Sequence, residues 1–534
     1  MLCKFSPILY YKMLPVKQFI ALLFFSVLYL NVFSQHSGLE KINKDDLQRH
    51  LNFLASDSLQ GRAFGTPVPG IDIAADYIKT NIKNLGLKDG AEDFYQTFTI
   101  YSMHPDRENS FLKLTDKKDT EIYKSDSIIG FTSGSGIDIT GAEIVFAGFG
   151  YRNEKSGYND YEGISIKGKL VMFSAGTPDR YKKREKPRWD NGLERAKIQL
   201  ALDSGAIGVL VVNSPLDKGN SLYNRIARWK NRGTNSLKST VGSEDNFNFV
   251  YTTSSQADKI LGTPGKLNSL LEKISKKNQP KTFEITGKKV TLMFKNIREE
   301  IHAKNVIGII GGSDEKLQNE CVVFMAHYDH VGMNENGEIF NGADDNGSGV
   351  VTLLELAEAF QSLEKKPKRS IVLLWVTAEE IGLLGSRYYA ENPTFDMEQT
   401  VTCINIDMDG RVYETRDSVW KDSPKIVKDY DGLYTLTNSF WPELKEINTS
   451  VCKNLGIIPD YSLPSRFLRS SDHFSFHDKG LPIINYATGY HADYHEVTDE
   501  ISKINFDKIK RVTELCFLLG LEIANKEKIE IVNP

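Results

Sequence analysis

Only five cysteines occur in 534 residues, and their spacing fits neither a zinc ribbon nor a dense disulfide scaffold. Excess charge is missing as well. Lys plus Arg number 66 against 70 Asp plus Glu, a formal charge of -4, which leaves no electrostatic footprint for nucleic acid. Past the N-terminus no apolar run approaches the length of a transmembrane helix. Histidine is absent between His104 and His302, so that long segment offers no evident metal chemistry. What remains, at 40% hydrophobic and 25% charged residues, is a globular chain too long for one ordinary core.

Lys12 and Lys17 precede an apolar run from Phe19 to Leu30, and Asn31-Val32-Phe33-Ser34 follows. This is the plan of a secretory leader cleaved after Ser34, with Met13 a candidate initiator and an uncleaved anchor the rival reading. The expected destination is the periplasm or the medium, with no stable membrane insertion once the leader is removed. Export would leave Cys321, Cys403, Cys452 and Cys516. The first two fall in apolar strands as small hydrophobes; one bridge involving Cys452 stays open, and nothing supports a thiol catalyst.

Leu47, Leu51 and Leu54 share a helical face within 45–60, and a second helix is expected from Ile73 to Leu85, stopped by Gly86. Composition changes after about Gly130, where strands at Ile144–Phe149, Lys169–Ser174 and Ile207–Val212 and a helix at Leu193–Ser204 make a compact α/β block. From Val322 onward strand and helix alternate, which predicts an α/β fold whose mostly parallel sheet is covered by helices on both faces. The span Asp417–Ser470 breaks that alternation and reads as helices and loops walling a cleft.

The chemistry concentrates between Cys321 and Asp409. CVVFMAHYDHVG, IVLLWVTAEEIGLLGS and VTCINIDMDG are apolar runs ending on His or acids, where an open α/β sheet places its reactive groups. Between the first two lies NGADDNGSG, and near the C-terminus ADYHEVTDE adds another histidine. Each element alone has a bland reading: Asp344 and Asp345 as a helix cap, His327 as a core histidine, Glu379, Glu380, Asp407 and Asp409 as strand-end acids. Together they are costly to assemble without a cation. Asp329, two residues past His327, suits a carboxylate that orients an imidazole ligand. Adjacent Glu379 and Glu380 point different ways, so one can bind metal while the other faces substrate.

These motifs resemble those of the secreted co-catalytic zinc aminopeptidases of peptidase clan MH, the group of bacterial leucyl aminopeptidases and aminopeptidase Y. They are more distantly similar to glutamate carboxypeptidase II and the transferrin receptor. LASDSLQGRAFGT (Leu54–Thr66) resembles the opening of bacterial members; FAGFGY (Phe146–Tyr151) and GAIGVLVVN (Gly205–Asn213) resemble an inserted protease-associated domain. The resemblance implies a zinc-exopeptidase-like, phosphorylase/hydrolase-like mixed sheet. It implies a signal peptide at 1–34, peptidase domain at 35–129 and 266–534, and the insertion at 130–265. It also implies two Zn2+ ions per chain: His327, Asp345 and Asp407 on one, Asp345, Glu380 and His495 on the other. Glu379 would be the general base, Asp329 the orienting acid, Asp344 a neighbour of the bridge and Asp499 a support for the His495 loop. The implied substrate is a peptide with a free N-terminus. A one-zinc glutaminyl-peptide cyclotransferase, a dipeptidase or carboxypeptidase, and a non-enzymatic receptor-like binding protein are the alternatives.

Overall fold

The computed structural model describes residues 37–117, 119–124, 128–132, 136–178, 191–216, 234–238, 248–419 and 427–532. The leader expected at 1–34 lies outside them. No helix among the described residues is long and apolar enough to cross a membrane. The chain divides into two compact units, one formed by residues 1–98 with 302–534 and the other by Thr99–Ile301.

The first unit is built on one mixed sheet. Its strands are β1 (Lys88–Asp89), the end of β2 (Thr282–Ile310), β3 (Cys321–His327), β4 (Ser370–Val376), β5 (Thr400–Ile406), β6 (Gly432–Thr437), β7 (Ile458–Asp460) and β8 (Ile483–Ala487). Strands β4, β3, β5 and β8 lie side by side and parallel. Strand β2 flanks β4 antiparallel and pairs with β1, and β6 flanks β8 antiparallel and pairs with β7. The mostly parallel core and flanking helices match the fold expected above. Strands β6 and β7 lie inside 417–470, a segment expected to hold helices and loops only. GLYTLT is too short and too mixed for its periodicity to declare a strand.

Strands β3, β4 and β5 are buried at every position, because both faces of the sheet are covered. Val322, Phe324 and Ala326 join one core with Leu47, Leu51, Leu354 and Phe517. Cys321, Val323 and Met325 join another with Tyr389, Cys403 and Phe476. Sequence runs without alternation are the signature of that double burial. All four cysteines from Cys321 to Cys516 are free and buried. The bridge left open for Cys452 is therefore absent; its thiol faces Asn448 Oδ1 at 3.8 Å.

Helices α1 (Lys44–Leu54), α2 (Gly70–Asn84), α3 (Gly349–Ser362) and α4 (Phe506–Asn525) belong to this unit. Asn43 starts α1 by accepting the Asp46 amide at 2.9 Å, and its own amide donates to Glu355 of α3 at 3.1 Å. Burial, with added repulsion from Asp46 and Glu358, pushes the Glu355 carboxyl up to about 8 from its ordinary 4.5. The folded chain thus keeps a proton that the unfolded chain releases between those values. The resulting penalty is absent at low pH, grows as pH rises and is complete above about 8. Glu355→Gln is expected to stabilise the protein by on the order of 1–3 kcal/mol at about pH 8.5 and by much less at about pH 5. Thermal unfolding in the two buffers measures this, and equal shifts in both would contradict it.

The second unit carries parallel strands at Leu170–Ser174, Gly208–Val212 and Asn248–Thr252. Helices Asn191–Asp203, Ser254–Leu261 and Lys266–Lys277 accompany them. Within this unit Phe111–Asp116 pairs with residues 288–293 of the long strand β2. Backbone pairing of that kind leaves no mark on local composition.

Candidate metal centre

Strand β3 has β4 on one side and β5 on the other, so successive connections diverge from it and open a crevice at the C-terminal strand ends. His327 is the last residue of β3, Asp407 follows β5 directly, and Glu379 and Glu380 follow β4 by three and four residues. Left-handed Ala378 (φ 60) and Met408 (φ 65) turn the chain sharply beside these acids. His495, itself left-handed (φ 56), stacks on Tyr494 at 4.0 Å between centroids.

Asp345 arrives on the turn Ala343–Ser348 that opens α3. Asn346 stitches that turn to the end of β5, donating to Ile406 O at 2.9 Å and accepting the Gly349 and Met408 amides. Gly349 is required there, because a Cβ would stand 2.5 Å from Ile406 O. The Asp344 carboxylate turns away and accepts the Gly410 amide at 2.7 Å and contacts His491 Nε2 at 3.1 Å.

His327 Nε2 stands 3.4 Å from Asp345 Oδ1 and 3.5 Å from Asp407 Oδ1. The second oxygen of Asp345 faces elsewhere, 3.0 Å from His495 Nε2, which is 3.2 Å from Glu380 Oε1. Two ligand groups therefore meet at one carboxylate. They are His327, Asp345 and Asp407, and His330, Asp345, Glu380 and His495, with the ligating atoms of each group within 4.8 Å of one another. These residues fit a pair of zinc ions. Ligands about 2 Å from a tetrahedral zinc lie roughly 3.3 Å apart. Among the buried atoms without a hydrogen-bond partner are Asp407 Oδ1, Glu380 Oε1 and both ring nitrogens of His330, although acids and imidazoles surround them. Close approach of such donors without hydrogen bonds suits a cation shared between them.

The electrostatics agree. Burial alone would lower the His327 imidazole, but Asp345 and Asp407 hold it well above its ordinary value. For His495 the same contest, with Asp345 and Glu380 as the acids, ends at about 10. Burial and the Asp345 charge would raise Glu380, yet the His330 and His495 contacts pull it to about 2. Asp345 likewise falls well below the carboxylate range despite its burial, under His327 and His495. The lone pairs that draw protons here are those a divalent cation takes, so metal uptake would release protons. Glu379 differs. Burial, opposed by His327 and reinforced by Glu380, Asp472 and Asp407, keeps its carboxyl well above the ordinary value.

Two supporting roles run through backbone atoms. The Asp329 side chain does not hydrogen-bond His327; its Oδ1 is 3.8 Å from Nδ1. The Asp329 backbone carbonyl takes that contact at 3.1 Å, which fixes the tautomer and leaves Nε2 as the ligand atom. The carboxylate instead accepts the amides of Glu379 and Glu380 at 3.2 and 3.3 Å. The Asp499 carboxylate accepts the amides of Asp344 and Asp345 and so holds the bridging turn, while its own amide donates to Glu496 O, beside His495, at 3.1 Å. In both cases the spacing brought the right residues together, but it could not tell a backbone atom from a carboxylate.

Two residues were missed. His330 completes the second group, and its signal lay in the sequence, one residue past Asp329 in HYDH. Arg62, in the GRAFGT stretch, is fully buried and donates to four carbonyls, those of Leu54, Tyr328, Asn341 and Gly342. It clamps the chain just after His327 to the chain just before Asp345.

Comparison with known proteins agrees with this geometry. Residues 305–519 match the model of peptidase family M28. The chain is 28% identical over 249 residues to Aminopeptidase YwaD of Bacillus subtilis, covering 45% of this chain and 49% of that protein. It is 28% identical over 234 residues to Leucine aminopeptidase 1 of Pyrenophora tritici-repentis, covering 42% and 56%. A probable glutamate carboxypeptidase of Arthroderma benhamiae matches at 28% over 340 residues, covering 54% and 42%. The chain thus spans about half the length of the curated relatives it matches. The solved aminopeptidase from Aneurinibacillus sp. strain AM-1 shares the fold, with a TM-score of 0.54, 21% identity, and 94% and 98% of the two chains covered.

Proposed function

We propose that this protein is a two-zinc aminopeptidase of the M28 type that hydrolyses the first peptide bond of substrates with a free N-terminus. The observation that carries the reading is the Asp345 carboxylate, with one oxygen toward His327 and the other toward His495. His327, Asp345 and Asp407 would hold one ion; Asp345, Glu380 and His495 would hold the other. Bound there, the pair would supply Lewis acidity, polarising a peptide carbonyl and making water a better acid.

The remaining work falls to the chain. Glu379 is half-buried at the crevice and takes the proton that the attacking water loses. It then delivers that proton to the departing amine nitrogen as the C–N bond breaks. Asp329 holds the Glu379 amide and so aims its carboxylate. The names of the bacterial and fungal relatives support the aminopeptidase mode; the carboxypeptidase relative supplies the rival. On this reading the Thr99–Ile301 unit is a protease-associated insertion, and the leader 1–34 directs export.

Acetylating the N-terminus of a good peptide is expected to abolish its cleavage, while the unblocked peptide loses single residues in sequence, followed by mass spectrometry. Efficient cleavage of the acetylated peptide would refute the aminopeptidase mode. Conversion of an N-terminal glutamine peptide to its pyroglutamyl form with release of ammonia would select a cyclotransferase instead.

A further inference from the structure

His330 follows the end of β3 by three residues. Its backbone amide is tied to Arg62 O at 3.2 Å, and its ring, 2% exposed, is directed at the second ligand group. Nδ1 is 3.0 Å from Glu380 Oε1 and 3.8 Å from Asp345 Oδ2. Those are the same two oxygens that His495 Nε2 faces at 3.2 and 3.0 Å. Despite that proximity neither ring nitrogen of His330 has a hydrogen-bond partner, and neither does Glu380 Oε1. A buried imidazole left unpaired is costly, and one whose nitrogen lies at contact distance from two ligand oxygens has an evident use.

We propose that His330 is a fourth protein ligand of the second site, and that it makes the two metal positions unequal. Two imidazoles and two carboxylates complete a tetrahedral zinc shell, the closed arrangement of tightly held ions. The first group, His327, Asp345 and Asp407, offers three donors, one short of a closed tetrahedral shell. The four-donor site fills first and releases its ion last. The three-donor site takes the second ion, exchanges it readily, and is the one with room for water or substrate.

This inference rests on the two-metal reading, and the test separates them. X-ray absorption of the wild-type protein is recorded after one and after two equivalents of zinc are added to the metal-free form. Two imidazoles around zinc at the first equivalent, and three shared over the two ions at the second, are expected. A single imidazole at the first equivalent overturns the proposal while leaving the two-metal hydrolase standing; failure to take up zinc at all sinks both. His330→Phe keeps the ring volume without the nitrogens, and its affinity for the first zinc is expected to fall at least about 100-fold, read by chelator competition. Unchanged affinity in a folded variant would also overturn the assignment. Should that variant not fold, the wild-type spectra decide alone.

Discussion

Replacing Glu379 by Gln is expected to cut turnover by roughly 10²–10⁴-fold while both metal positions keep their affinity. In activation terms that is about 3–5 kcal/mol, among the largest effects available from one atom. The substitution is nearly isosteric. It preserves the backbone amide that Asp329 accepts at 3.2 Å, so the loop carrying Glu380 has no reason to move. It removes only the group that can both take and return a proton. Because Glu379 is not among the ligand atoms that converge on either metal position, the loss should appear in kcat with zinc content unchanged. Near-normal turnover in a zinc-loaded Glu379→Gln protein would end its assignment as the base.

The parallel core was legible because β3, β4 and β5 are buried on both faces, and double burial writes uninterrupted apolar runs into a sequence. The acids and histidines at the ends of those runs were legible for the same reason, since strand ends in such a sheet open onto one crevice. Other features had no local signature. Strand β6 is recognised only through its pairing with β8. The second unit reaches from Thr99 to Ile301 through strand partners far apart in sequence. Asp329 and Asp499 were read from the sequence as supports, but their carboxylates work through backbone amides. His330 was passed over because the adjacent HxD pattern already accounted for that loop. Arg62 sat in a quoted motif whose role becomes evident only when four distant carbonyls are seen around its guanidinium.

Metal removal is the second large effect. Without cations the site holds Asp345, Asp407, Glu379 and Glu380 around imidazoles that draw protons, and no group remains that can polarise a carbonyl or acidify water. Asp345 belongs to both ligand groups, so each position depends on it, and loss of either ion leaves the chemistry incomplete. The central claim is therefore tested most directly by zinc titration of the chelator-stripped wild-type protein, with release of the N-terminal residue from an unblocked peptide as the readout. Activity is expected to be abolished in the stripped protein, to return as zinc is added, and to level off at two equivalents per chain. Full activity in the metal-free protein, or a plateau reached at a single equivalent, would contradict the account.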